Sequence, residues 1–273
     1  MVLAYPCVIN EGETMSMPQA QPRVLLVNDD GIDGHGLVML EEIVRRFTDD
    51  VWVVAPDEER SGAGHSFSTT QPVRVKQRDE RHFAVKGTPT DCALLAIYEL
   101  IEGRKPDILI SGINRGPNLA EDITYSGTAS AAMEGALLGI PAIALSQCFR
   151  PPNPVPWDAA ERFGGAVIEK LLGFDWRPGM FVNVNFPECS ADQVQGIRIT
   201  RQGQRPPGAF IPERRVDVRH FPYYWVRIAL PDGGHAPGND IQAMLDKEIS
   251  ITPMQLDMTC HAAMADMQSL FDA

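Results

Sequence analysis

The sequence predicts an α/β fold: a parallel sheet with helices on both faces, followed by a β-hairpin elaboration. Three observations lead there. Short, continuous apolar runs recur from Arg23 onward, the mark of strands buried on both faces. Between them stand stretches whose apolar residues recur at helical spacing. After Phe186 the texture changes to segments rich in Arg, Pro, Gly and aromatics. With 273 residues, 44% hydrophobic and 22% charged, the chain is ample for one large core.

Residues 1–22 contain no Lys or Arg, so they lack the basic start of a signal or transit peptide. They are expected to be a disordered extension, with 23–273 forming a single domain. Arg23-Val24-Leu25-Leu26-Val27 is the first buried strand, and Leu37, Leu40, Val44 and Phe47 mark the helix after it. Val51 to Val54, Asp107 to Ile110 and Ala142 to Leu145 are further buried strands. Thr69 to Lys76 and His82 to Lys86 read as an inserted strand pair. A helix then starts at a capping Thr88, with Pro89 in its first position and Asp91 at its third. Ala129 to Leu138 and Trp157 to Leu172 are the later helices. Residues 197–238 are expected to form the hairpin elaboration, whose aromatics suit either a subunit interface or the parent sheet.

The bulk properties narrow the function classes. A net charge of −12 repels polyanions, which argues against binding nucleic-acid polymers. A small phosphate ester is still admissible, because a metal ion reverses the field locally. Five widely spaced cysteines without a C-x-x-C pair suggest reduced thiols in a cytoplasmic protein. The most apolar stretch, Ala136 to Leu145, is short and broken by Gly139 and Pro141, so no membrane span is expected.

Three loops carry chemistry. Asn28-Asp29-Asp30-Gly31 follows the first strand. Adjacent carboxylates repel, and a cation neutralises them; a turn or helix cap explains the motif equally well on its own. The second loop, Ala55 to Ser66, is rich in Gly and hydroxyls and by itself is simply a loop. The third, Ser111-Gly112-Ile113-Asn114 through Asn118, leads to Tyr125-Ser126-Gly127-Thr128, where Ser126 can cap a helix whose amino end suits a phosphate. All three leave the carboxyl ends of strands in one predicted sheet, where open α/β folds bind ligands. Together they offer two carboxylates, a hydroxyl and an amide carbonyl. These hard oxygen donors suit Mg²⁺ or Mn²⁺ rather than zinc.

The segments VNDDGIDGHG (27–36), VVAPDEERSGAGHS (53–66), GTPTDCALLA (87–96), the run 106–146 containing SGINRGPN and YSGTASAAMEG, and ISITPMQLDMT (249–259) resemble the SurE survival-protein family of 5'/3'-nucleotidases. The resemblance implies a doubly wound, Rossmann-like sheet with a C-terminal hairpin exchanged between subunits of a homodimer or homotetramer. It implies one divalent ion per subunit, held by Asp29, Asp30, Ser61 and Asn114. It places phosphate on Asn118 and Ser126, with Gly127 and Thr128 beside them. The implied activity is hydrolysis of nucleoside 5'- and 3'-monophosphates, and members of the family also trim short-chain polyphosphate. The sequence departs from the family pattern at the extension, His65, Arg115, Pro117 and Gly238-Asn239-Asp240, none of which is an implied ligand.

The expected mechanism is in-line attack by a metal-activated water, with Asp29 and Asp30 as the catalytic carboxylates. Direct attack by either aspartate ranks lower, since the usual aspartyl phosphatase signature has a second Asp where this chain has Gly31 or Ile32. His35 and His65 read as ordinary loop histidines rather than general acids. A phosphoacceptor receiver domain also carries an acidic pair after its first strand, but is much shorter than this chain. A nucleotide-binding protein without catalysis stands as the second rival. A dinucleotide-binding dehydrogenase is disfavoured, because Asn-Asp-Asp-Gly replaces G-x-G-x-x-G.

Overall fold

Val24–Val27 (β1) sits at the centre of the sheet, since all four residues are apolar and all four are buried. The computed structural model describes residues 21–228 and 236–272. Almost all of the extension expected over 1–22 therefore lies outside the described residues. After β1 come α1 (His35–Val44), β2 (Val51–Pro56), β3 (Arg74–Gln77), β4 (His82–Lys86), α2 (Pro89–Leu95) and β5 (Ile108–Arg115). Then follow α3 (Gly127–Leu137), β6 (Ala142–Gln147), α4 (Asp158–Leu172), β7 (Met180–Phe186) and β8 (Gly196–Ile199). The chain continues with β9 (Phe210–Val216), β10 (Pro222–Ile228), α5 (Asp240–Leu245), β11 (Glu248–Gln255) and α6 (His261–Phe271).

Nine strands form one sheet in the order β3-β4-β2-β1-β5-β6-β7-β11-β8. From β4 to β7 every neighbouring pair is parallel. The expected parallel sheet is antiparallel at two places, β3 on β4 and β11 on β7. The inserted pair also differs from expectation: of Thr69 to Lys76 only the end is a strand, since Pro72 lacks a ladder donor.

Successive residues of β1 serve opposite faces. Val24 and Leu26 pack with Leu37, Leu40 and Ile43 of α1 and Val167 and Ile168 of α4. Leu25 and Val27 pack with Cys92 and Ala93 of α2 and Ala129 and Ala132 of α3. Both faces are thus covered, and the sheet is doubly wound. Truncating a fully buried side chain such as Leu40 to Ala would cost roughly 2–5 kcal/mol.

Helix α2 starts on a complete capping box between Thr88 and Asp91. Helix α3 lies close to the sheet because its inner side is Ala and Gly: a Cβ on Gly135 would stand 3.2 Å from Leu109 and Ala142. Strands β2 and β5 flank β1 on opposite sides, so the winding reverses at β1. That reversal opens a crevice at the carboxyl ends of β1 and β5.

Strands β9 and β10 pair only with each other. Phe221, Tyr224, Trp225 and Val226 are all exposed on this hairpin. Helix α6 buries none of its residues and exposes Met264, Met267, Leu270 and Phe271. No helix among the described residues is long and apolar enough to cross a membrane.

Candidate active site

The loops after β1, β2 and β5 are tied to one another by hydrogen bonds to backbone N–H groups. The carbonyl of Asp29 accepts from the N–H of Arg60 at 2.7 Å. The carboxylate of Asp30 accepts from the N–H of Arg115 at 3.0 Å. Gly64 N–H donates to the carbonyl of Tyr125, just ahead of α3. Within the first loop, Asn28 donates its amide to the carbonyl of Gly31, whose φ of +94° favours glycine.

The amino end of α3 presses on Asp29. Thr128, fully buried, donates its hydroxyl to Asp29 Oδ1 at 2.5 Å. A Cβ on Gly127 would stand 2.7 Å from the Asp29 Cβ, so only glycine permits this approach. Ser126 caps the helix, its Oγ accepting from Ala129 N–H at 2.9 Å.

These contacts frame a cavity of about 410 Å³ at the crevice. Asp29, Ser61, Asn114, Asn118 and Ser126 all lie on its wall. Asp30, Gly127 and Thr128 are outside that wall, immediately beside it in the chain. Asp122, Arg115, Tyr125, Phe149 and Arg205 complete much of the lining. Neither His35 nor His65 is on it: His65 pairs with Glu134 at 2.9 Å, and His35 lies against Trp157.

The carboxylates are poorly accommodated as bare charges. Burial pushes the Asp29 carboxyl up to about 6; the Thr128 hydroxyl opposes this rise and the charge of Asp30 adds to it. Burial also raises Asp30, against the pull of the Arg115 N–H. Asn114 donates its amide N–H to the carbonyl of Gly116, so its Oδ1 is the atom that could ligate a cation. Ser61 is exposed and donates to Glu59. Among the described residues no three His, Cys, Asp or Glu side chains gather as a metal cluster. A cation here would therefore draw on hydroxyl and amide oxygens as well as on the aspartates, a set that fits a hard divalent ion.

The structure also brings in residues that the motifs did not reveal. Asn118 is anchored by β7: its N–H donates to Asn185 Oδ1, and its carbonyl accepts from Asn183 and Asn185. Its side-chain amide donates to Ser146 of β6. Two asparagines at every second position of the apolar run Met180 to Phe186 were the available signal, since they mark one polar face of a buried strand. The buried pair Asp122–Arg205 had no local signal, being 83 residues apart in sequence.

Comparison with known proteins identifies the family. Residues 24–208 match the family model for Survival protein SurE. The chain is 47% identical over 257 residues to a protein named 5'-nucleotidase SurE from Paramagnetospirillum magneticum, covering 93% of this chain and 98% of that one. It is 45% identical over 250 residues to one of the same name from Brucella anthropi, covering 90% and 96%. The crystal structure of the SurE protein from Aquifex aeolicus superposes with a TM-score of 0.80 at 38% identity, over 92% of this chain and 100% of that chain. By family model, sequence and fold, the chain belongs to the SurE survival-protein family.

Proposed function

We propose that this chain is a divalent-metal-dependent phosphatase that hydrolyses nucleoside 5'-monophosphates to nucleoside and phosphate. One observation carries the reading. Loops from three neighbouring strands meet on a single cavity where the desolvated Asp29 carboxyl, with Asp30 beside it in the chain, stands against the capped amino end of a helix. Relatives across most of the chain bear the name 5'-nucleotidase.

In this reading Asp29, Asp30, Ser61 and Asn114 hold one Mg²⁺ or Mn²⁺. Bound there, such an ion neutralises charge and lowers the pKa of a coordinated water. The residues of the chain do the rest. Thr128 orients Asp29 through its hydroxyl and also turns its backbone N–H toward the same carboxylate, so its part at the phosphate is to shape the amino end of α3. Asn118, braced by β6 and β7, and the Ser126 hydroxyl receive phosphoryl oxygens at the positive end of α3. Asp29 and Asp30 would be the carboxylates that position the attacking water. The exposed apolar surface of β9, β10 and α6 is read as the contact that builds a homodimer or homotetramer. The chain is read as a cytoplasmic protein, a compartment that its widely spaced cysteines suit.

The test is release of phosphate from AMP and from 4-nitrophenyl phosphate. Stripping with EDTA should abolish it, and Mg²⁺ or Mn²⁺ should restore it. Turnover indifferent to chelation, or none with either metal, overturns the reading.

A further inference from the structure

Arg205 enters the cavity wall from the segment between β8 and the β9–β10 hairpin. Its side chain is 2% exposed. Its Nε donates to Asp122 Oδ1 at 3.0 Å, and its Nη2 to Asp122 Oδ2. Its backbone N–H donates to the carboxylate of Glu121. The third nitrogen, Nη1, is buried, and among the described residues no atom accepts from it. Arg115, the other arginine on this wall, is half exposed and faces Glu59.

A buried ion pair is tolerated when its remaining donors are satisfied, because each desolvated N–H without an acceptor is costly. If Arg205 and Asp122 served only to tie the hairpin root to the cavity, Nη1 would be a liability to the fold. A ligand oxygen removes that liability. Asp122 already offsets the guanidinium charge, so the contribution is directional: a charge-assisted hydrogen bond to one acceptor. Anionic oxygen is the best such acceptor, and Asn118 and Ser126 share this cavity.

We propose that Arg205 is a substrate-binding residue whose Nη1 donates to a phosphoryl oxygen. This rests on the phosphatase reading above and extends the phosphate pocket to a residue brought from the C-terminal half of the chain. The same bond could be made to a sugar hydroxyl, and ribose-free ligands separate the two sources.

The experiment compares the full-length parent with Arg205→Lys and with the double variant Asp122→Asn/Arg205→Gln. The double variant replaces the ion pair by neutral hydrogen-bonding amides, so that a folded protein is retained should Lys not fit. Folding is read by a cooperative thermal melt. Orthophosphate binding is measured by calorimetry with Mn²⁺ present, and kcat and KM are measured on AMP and on 4-nitrophenyl phosphate. The expected result is orthophosphate binding at least about tenfold weaker in a folded variant. KM should rise similarly on both esters, and kcat should change by less than about threefold. Unchanged orthophosphate affinity and unchanged KM in a folded variant overturn the proposal. A rise confined to AMP also overturns it, because the bond then goes to the sugar. A parent that binds orthophosphate through Arg205 but turns over neither ester sinks the phosphatase reading while leaving this contact standing.

Discussion

At the cavity, polar groups are buried: Asp29, Asn118, Asp122 and Arg205 are 4%, 5%, 7% and 6% exposed. Along the hairpin and α6 the reverse holds, with Trp225 and Tyr224 each 59% exposed and Phe271 85%. Both regions depart from the usual partition of polar outside and apolar inside, and they do so in opposite directions. The departures teach what each region lacks. Buried carboxylates that resist ionisation call for a cation, and a buried guanidinium nitrogen without an acceptor calls for an anion. Exposed aromatics and methionines call for another apolar surface. Between the two regions runs Arg205, which sits a few residues before β9 yet lines the cavity.

Three changes would break or sharpen this contrast. The largest effect is expected from Asp30→Asn. It removes one charge of the acidic pair from a half-buried loop position, so kcat/KM should fall about a thousandfold or more while the thermal melt stays cooperative. Near-parent turnover with saturating metal would refute the cation site. Next comes Trp225→Asp on the hairpin. If this surface joins subunits, the association constant should drop about thirtyfold or more, as for loss of an aromatic anchor worth ~2 kcal/mol. Analytical ultracentrifugation reads it; an unchanged sedimentation profile would mean that the exposed aromatics are ordinary surface. The smallest effect is expected from Thr128→Val. It keeps the shape but deletes the bond to Asp29, so the metal concentration for half-maximal activity should rise about tenfold. No change in that concentration would show that Asp29 needs no orienting partner.

Much of the architecture was legible because strand and helix periodicities are local properties. The apolar runs at β1, β2, β5 and β6 and the capping residues Thr88 and Ser126 stand where the chain pattern put them. Less was legible in the last third. Strand β11 is antiparallel to β7 and parallel to β8, and no local feature of its residues encodes which neighbours it takes. Thr128 was expected beside the phosphate, and its hydroxyl instead faces Asp29, 99 residues earlier in the chain. The asparagine pair of β7 was visible as a pattern, but its purpose is plain only where it meets Asn118.

Taken by itself, the amino-acid order determined the α/β class, the loops that carry oxygen donors and the family they resemble. These follow from side-chain type and spacing along a few turns or a single strand. Tertiary structure decided which of those donors share a cavity, how burial alters the Asp29 and Asp30 carboxyls, and that a distant arginine joins them. The reason is physical: desolvation and hydrogen-bond partnership depend on what surrounds a group in space, and chain order does not specify that locally.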